Sequence, residues 1–159
     1  MSSSIGPVLR KNWDILSPLP LGKWLFSRLV GYMTPYSGSI GARVELLRPG
    51  HGVITLRDKR KVRNHLNSVH AMALMNLAEL VTGLTLMNSL KDNTRGILTA
   101  MQMQYHKKAR GLLTAHCFCE IPEDNAEKEI ILSGEIKNEG GEIVATARAS
   151  WLIGPDRNH

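Results

Sequence analysis

Three polar residues mark the most apolar stretch of the sequence. Asn64 and His70 precede that stretch, and one carboxylate, Glu79, lies inside it. A carboxyl group held among apolar side chains has its charged form disfavoured, so we expect Glu79 to be a stronger base than a carboxylate in water. Burying an acid is costly, so a role as a base or a nucleophile would explain why Glu79 lies in an apolar stretch.

A long buried helix is predicted to carry Glu79. Apolar residues from 70 to 90 occupy nearly every helical face without an intervening proline, and Asn67 or Ser68 can cap the start. The segments that show strand-like patterns are 42–62 (a hairpin around PGHG), 96–106, 111–121, 129–137 and 142–153, with a hairpin turn at 138–141. One antiparallel sheet curled around the helix would enclose it, which predicts an α+β fold.

The N-terminal region is predicted to be helical. Residues 7–33 suit one or two short helices broken at the SPLP segment, 17–20, because each proline pushes the preceding residue out of helical geometry. PYSG, 35–38, is predicted to be a turn. We therefore divide the chain into an N-terminal helical extension, 1–34, and a main domain, 35–159.

If Glu79 and the start of its helix act on the same reacting group, the helix geometry requires a second copy of the chain. Free N–H groups and a partial positive charge at a helix N-terminus suit a developing oxyanion at Ala71 or Met72. At about 1.5 Å per residue, Glu79 lies roughly 12 to 14 Å along the axis from the amide of His70, so one chain cannot aim both at one reacting group. Two helices lying antiparallel across a twofold axis would form two composite sites.

Composition limits the class of protein. The length of 159 residues suits one domain with one core. Cys117 and Cys119 would point to one face of a strand, so we expect reduced thiols and a cytoplasmic protein. The most apolar window, 71–90, still holds two asparagines and Glu79, so it belongs in a protein core, and no stable membrane insertion is expected.

Basic residues are concentrated in the first two thirds of the chain. The net charge is +6, and residues 1–110 carry 16 of the 20 Lys and Arg. Two clusters, 57–63 (RDKRKVR) and 106–110 (HKKAR), would attract phosphate groups, although either could be only a solvated face. Nucleic acid is not expected as a partner, because the chain has just eight Phe, Trp and Tyr residues and several must lie in the core.

The predicted elements and the three polar residues together resemble the hotdog-fold acyl-CoA thioesterases. The helix is entered through Asn-x5-His, and a carboxylate follows nine residues after that His. The resemblance covers residues 35–153 and is greatest to the branch related to phenylacetate-pathway thioesterases. It implies a hotdog fold, in which a curved antiparallel sheet wraps a long central helix. It also implies that a homodimer, or a dimer of dimers, hydrolyses an acyl-CoA without a metal or other cofactor.

The resemblance assigns roles only to matching positions. Asn64 matches the asparagine before the helix, His70 the histidine at its start, and Glu79 the catalytic acid, which would activate water or attack directly. Ala71 matches the glycine whose backbone N–H polarises the thioester carbonyl. Met72 replaces a second glycine and would narrow the approach of the substrate.

The same resemblance places further residues near the substrate. A glycine expected in the loop before the helix appears as Asn67, and the strand hydroxyl that positions water in some relatives falls near Leu98 or Thr99. Segment 105–111 resembles the one near which the nucleotide end of coenzyme A lies. The candidate phosphate-binding residues are Lys107, Lys108 and Arg110, with Arg60 and Arg63 second. The low polar content of the helix and facing strands favours a medium- or long-chain aliphatic acyl group.

Other interpretations stay open at this point. Glu79 could be a structural acid bonded to an Arg or Tyr of a nearby strand, and Asn64 could serve only a turn. His70 is expected to bond to backbone and orient the site rather than act as a base. The protein could bind acyl-CoA without catalysis. A hydratase is disfavoured because no Asp–His pair lies near the helix, and His65 and His106 lack the spacing of a zinc site.

Overall fold

A computed structural model of the protein describes residues 5–156, so the ends of both predicted domains, 1–4 and 157–159, lie outside the described residues. Three helices come first: α1 (Ile5–Leu16), α2 (Gly22–Met33) and α3 (Pro35–Gly38). The break between α1 and α2 confirms the predicted effect of the SPLP segment. PYSG, predicted to be a turn, is instead a four-residue helix, because Pro35 is preorganised for the start of a helix.

Six strands form one antiparallel sheet. They are β1 (Arg43–Arg48), β2 (His51–Arg57), β3 (Thr94–Tyr105), β4 (Leu112–Phe118), β5 (Lys128–Lys137) and β6 (Ile143–Pro155), in the spatial order β1-β2-β4-β5-β6-β3. Every predicted strand is present, and β2 shows the expected alternation, with Gly52, Ile54 and Leu56 turned into the core. The hairpin predicted over 42–62 is too long, because β2 ends at Arg57 and Arg60–Val62 form a short 3-10 helix. Strand β3 stands at one edge of the sheet, so the side of β3 away from β6 pairs with no other strand of residues 5–156.

The long helix α4 (Ala71–Ser89) lies against the sheet as predicted. Leu77, Ala78 and Val81 have no exposed surface. The helix can approach β2 closely because residue 52 is a glycine, where an added Cβ would overlap the hydroxyl of Thr85. By length and composition alone α4 could cross a membrane, but 56% of its apolar window is buried inside the protein, which is typical of a core helix.

The N-terminal helices share the core of the sheet. Trp13 of α1 and Phe26 of α2 are both buried and meet edge to face with ring centroids 5.1 Å apart. The guanidinium of Arg10 donates to the carbonyls of Asn88 and Leu90 at 3.2 and 2.9 Å, which satisfies acceptors that the end of α4 leaves without helical partners. Helix α1 therefore fixes the C-terminal end of α4, while the division of the chain at residue 34 stays a prediction.

Candidate active site

The first turn of α4 is capped by the side chain of His70. This residue has an extended backbone, with φ −63° and ψ 142°, and its Nδ1 accepts a hydrogen bond from the N–H of Met72 at 3.1 Å. The prediction that Asn67 or Ser68 would cap the helix is therefore wrong, because the chain does not turn into the helix until His70. The expectation that His70 bonds to backbone at the helix start agrees with this geometry. Since Nδ1 accepts, the neutral ring carries its proton on Nε2.

One backbone N–H in this turn has no acceptor. Ala73 and Leu74 both donate to the carbonyl of His70, at 2.9 and 3.1 Å, and Met72 donates to its imidazole. Among the described residues, nothing accepts from the N–H of Ala71. Because the first N–H groups of a helix also feel its positive end, Ala71 rather than Met72 offers the donor that an oxyanion needs.

Asn64 holds the loop that leads into α4. Its Oδ1 accepts from the N–H groups of Leu66 and Ser68, at 2.9 and 3.2 Å, and its own N–H donates to the carbonyl of Ser68 at 2.8 Å. Asn67, where the sequence resemblance led us to expect a glycine, adopts the left-handed φ of 53° that favours glycine or asparagine. The predicted turn role of Asn64 is thus present, and only its Nδ2 remains to face a ligand.

Glu79 is half-buried on α4, two turns beyond Ala71. Burial raises the pKa of its carboxyl group, because removal from water disfavours the charged form. No Arg or Tyr among the described residues bonds to it, so the alternative of a structurally paired acid finds no partner within one chain. A half-buried carboxylate without a cation is a competent base, provided that substrate and water reach it.

Tyr105 joins β3 to the start of α4. Its hydroxyl donates to the carbonyl of Ala71 at 3.2 Å, and burial raises the pKa of the phenol. This contact fixes the peptide that follows the free N–H of Ala71. Sequence reasoning missed Tyr105, because segment 105–111 suggests phosphate binding through its cations and only the tertiary structure places the tyrosine against α4.

Two of the predicted phosphate-binding residues in segment 105–111 have partners. Lys107 forms an ion pair with Glu142, and Arg110 donates to the carbonyls of Asn67 and Leu66 at 2.9 and 3.2 Å. Arg110 therefore braces the loop before α4. Lys108 is exposed and makes no hydrogen bond or ion pair within residues 5–156, so it is the cation of this segment best able to meet a phosphate.

Of the second-choice phosphate-binding residues, Arg63 has an ion-pair partner and Arg60 has none in the described chain. Arg63 donates to the carboxylate of Asp58 at 2.7 Å, whereas Arg60 is exposed.

Thr99 lies at a bulge of β3, and its hydroxyl donates to the carbonyl of Ser150 at 3.1 Å. The hydrogen bonds of Thr99 thus join it to a neighbouring strand rather than to α4.

Part of the predicted constellation lies together in one chain and part does not. His70, Ala71 and Met72 form the start of α4, with Met72 54% exposed, and Asn64 lies in the loop that leads into it. Glu79 lies roughly 12 Å further along the helix axis, at about 1.5 Å for each of eight residues. Within residues 5–156 no three His, Cys, Asp or Glu side chains are grouped so that they could hold a metal ion.

Comparison with known proteins supports the fold. The model of one protein family, described as a domain of unknown function (DUF4442), matches residues 22–153. No curated protein matches the chain in sequence. A protein whose crystal structure was solved as a genomics target is similar over 93% of this chain and 99% of its own, with 26% identity and a TM-score of 0.81.

Two named structures extend this comparison. A Pseudomonas aeruginosa protein of unknown function, called a probable thioesterase, has 24% identity and a TM-score of 0.74, over 86% of this chain and 97% of its own. A hypothetical thioesterase from Streptococcus pneumoniae, solved with coenzyme A, has 20% identity and a TM-score of 0.62, over 74% and 91%. The protein therefore has the hotdog fold of these thioesterase-family structures.

Proposed function

The chain belongs to the DUF4442 family, whose function is unknown, and we propose that this member hydrolyses acyl-CoA thioesters at a site shared between two protomers. The observation that carries the proposal is the free N–H at the start of α4: within the part of the chain that the structure describes, nothing accepts from Ala71, while the imidazole of His70 accepts from Met72. The same helix carries Glu79, which is half-buried and whose carboxyl group has no bonding partner among the described residues. A helix N-terminus that presents one free donor suits the single oxygen of a thioester carbonyl.

The proposed reaction uses these groups in order. The carbonyl oxygen of the thioester accepts a hydrogen bond from the N–H of Ala71. Glu79 of the other protomer takes a proton from a water molecule as the water oxygen attacks the carbonyl carbon. The oxyanion that forms is stabilised at Ala71. When the C–S bond breaks, coenzyme A leaves as a thiolate that receives the proton, and the acyl group leaves as a carboxylic acid. Direct attack by Glu79 would give an acyl anhydride that water then hydrolyses.

Two protomers are part of the proposal because Glu79 and Ala71 are separated along one helix. Strand β3 has an unpaired edge, and a second copy of the chain can extend the sheet by pairing with its twelve residues. Antiparallel pairing about a twofold axis would also set the two α4 helices side by side, so that each N-terminus meets the middle of the other helix.

Coenzyme A is proposed as the carrier because cations surround the loop before α4. Lys108 and Arg60 are exposed and without ion pairs in the described chain, so they are the first choices for the phosphates. Lys107 would first have to break its ion pair with Glu142, and Arg63 its ion pair with Asp58. The coenzyme A held by the Streptococcus pneumoniae structure supports this choice of thiol. We expect a medium- or long-chain aliphatic acyl group.

Replacement of Glu79 by Gln tests the proposal. Glutamine keeps the shape of the side chain but cannot accept the proton, so turnover should fall at least about 10²-fold across a panel of acyl-CoAs of increasing chain length. Glu120→Gln, which alters an exposed carboxylate outside α4, serves as the matched control. Unchanged hydrolysis by the Glu79→Gln protein would remove Glu79 from the mechanism, and a preference for hydroxylated aromatic thioesters would overturn the aliphatic assignment.

A non-catalytic acyl-CoA binder is the second candidate. The observation in its favour is Met72, a residue that is 54% exposed next to the free N–H of Ala71, where its side chain can obstruct a thioester. Calorimetry that shows saturable acyl-CoA binding, together with no release of free thiol at any chain length, would favour this candidate over hydrolysis.

A further inference from the structure

A large cavity lies on the side of the molecule formed by the N-terminal helices. Its volume is about 800 Å³, and residues of α2, α3, the β1–β2 hairpin and one side of α4 line it. That volume is within the range of pockets that bind small molecules, roughly 300 to 1,000 Å³. Glu79 is not among the residues that line the cavity, although its neighbour Leu80 is. The residues that line the cavity therefore do not include those of the proposed catalytic site.

The floor of this cavity is apolar. Val30 of α2, Val44 of β1 and Ile54 of β2 are buried, and Leu80 and Leu84 of α4 contribute half-buried surface. All five side chains are aliphatic and carry no hydrogen-bonding group. The part of a ligand that covers these five side chains should be apolar, since a polar group placed against them would lose its hydrogen bonds to water.

The rim of the cavity is strongly basic. The five cations that line it, all on exposed residues, are Arg28, Arg43, Arg57, Lys59 and Lys61. Glu45 is the one acid among the lining residues, and it is already engaged by Arg43 at 3.2 Å and by Lys23 at 3.9 Å. Arg28, Arg57 and Lys59 have no ion pair among the described residues, so the rim keeps an excess of positive charge.

We propose that this cavity binds an anionic amphiphile with a single aliphatic chain, whose chain lies on the apolar floor and whose acidic head lies among Arg28, Arg57 and Lys59. A carboxylate or a phosphate monoester head would satisfy the same cations, because arginine donates two parallel hydrogen bonds to either group. This site goes beyond thioester hydrolysis. It accounts for the cluster at 57–63 through Arg57 and Lys59, whereas Arg60 and Arg63 do not line the cavity.

The test compares four ligands with one chain length. Dodecanoate, dodecyl phosphate, dodecanol and dodecyltrimethylammonium are titrated into the protein by calorimetry at concentrations below those at which they form micelles. The two anions should bind at least about tenfold more tightly than the alcohol, and the cation should bind more weakly still. The ratio of dodecanoate to dodecyl phosphate affinity identifies which acidic head the rim prefers. Shortening the chain of the better anion should weaken binding by about two- to fourfold per methylene.

Charge reversal locates the binding. Arg28→Glu/Lys59→Glu should weaken anion binding at least tenfold, while Lys11→Glu/Arg48→Glu, with the same change in net charge at exposed residues outside the cavity, should bind as wild type does. Glu79→Gln should also bind dodecanoate normally, which separates this proposal from the proposed hydrolysis. Equal binding of anionic and cationic amphiphiles, no saturable binding of either anion, or equal losses in the two double variants would each overturn the proposal.

Discussion

Substitution of Ala71 by proline deletes one proposed catalytic atom and little else. Ala71 is the first residue of α4, where proline is well tolerated, and its N–H has no acceptor among the described residues, so no internal hydrogen bond is lost. His70 already has ψ 142°, the extended geometry that a following proline requires. The free energy of unfolding should therefore change by less than about 1 kcal/mol, which chemical denaturation would measure.

The catalytic effect of Ala71→Pro should be much larger than its effect on stability. Loss of one oxyanion donor costs about 10²- to 10³-fold in kcat, or roughly 2.7 to 4 kcal/mol of transition-state stabilisation. Release of free thiol from acyl-CoA is the assay. Ala71→Gly keeps the N–H and is the matched control, with kcat expected to stay within a few-fold of wild type. A folded Ala71→Pro protein with wild-type kcat would show that the oxyanion lies elsewhere.

Mixed dimers test whether Ala71 and Glu79 act from different protomers. A heterodimer of Ala71→Pro and Glu79→Gln chains, purified through two different affinity tags, contains one composite site with both groups intact and one with neither. It should recover about half of the wild-type activity per dimer, although each homodimer is nearly inactive. If both groups acted within one chain, every site in the heterodimer would lack one of them. Failure to recover activity would thus refute the shared site.

Three further predictions concern stability and salt. Because the pKa of Glu79 is raised in the folded protein, its ionised form destabilises the fold. Glu79→Gln should therefore unfold at a higher denaturant concentration than wild type at neutral pH, and the difference should vanish as pH falls through the folded pKa to the unfolded value of about 4.3. A difference between the two proteins that is the same at every pH would contradict this reasoning. Asn67→Ala should cost about 1 to 2 kcal/mol in denaturation because of the left-handed φ of 53°, whereas Asn67→Gly should cost less; equal costs would exclude backbone strain as the cause. The apparent KM for acyl-CoA should rise with ionic strength more than that for an acyl-pantetheine, because only the former presents phosphates to exposed cations. Arg60→Ala/Lys108→Ala, which removes the two candidate cations without ion pairs in the described chain, should lose this difference. If wild type and variant treat both substrates alike at low salt, these cations form only a solvated face.

Local patterns were enough to predict most of the elements. The apolar run from 70 to 90 has helical length and no proline, which fixes α4 regardless of what surrounds it. The alternation in 42–62 and the turn at 138–141 each depend on a few adjacent residues, and both hairpins are present. PYSG was predicted wrongly because a four-residue helix and a turn differ by only one or two backbone bonds.

The partners of the site residues could not be predicted in the same way. Lys107 and Glu142 are 35 residues apart, and Arg110 lies 43 residues from Asn67, so their contacts depend on how strands and loops pack. The helix cap shows the same limit at short range, since Asn67, Ser68 and His70 can all cap a helix and the path of the loop selects among them. These contacts decide which predicted cations remain available to a ligand.

The sequence alone determined that an acid would lie in the middle of a buried helix, roughly 12 Å from the helix start, because apolar periodicity and the rise per residue are local properties. Only the tertiary structure decided that Ala71 keeps a free N–H, that Tyr105 braces its peptide, and that a basic-rimmed cavity lies beneath α2. Each of these depends on groups far apart in the chain. Their positions are set by packing of the whole fold, which no local pattern encodes.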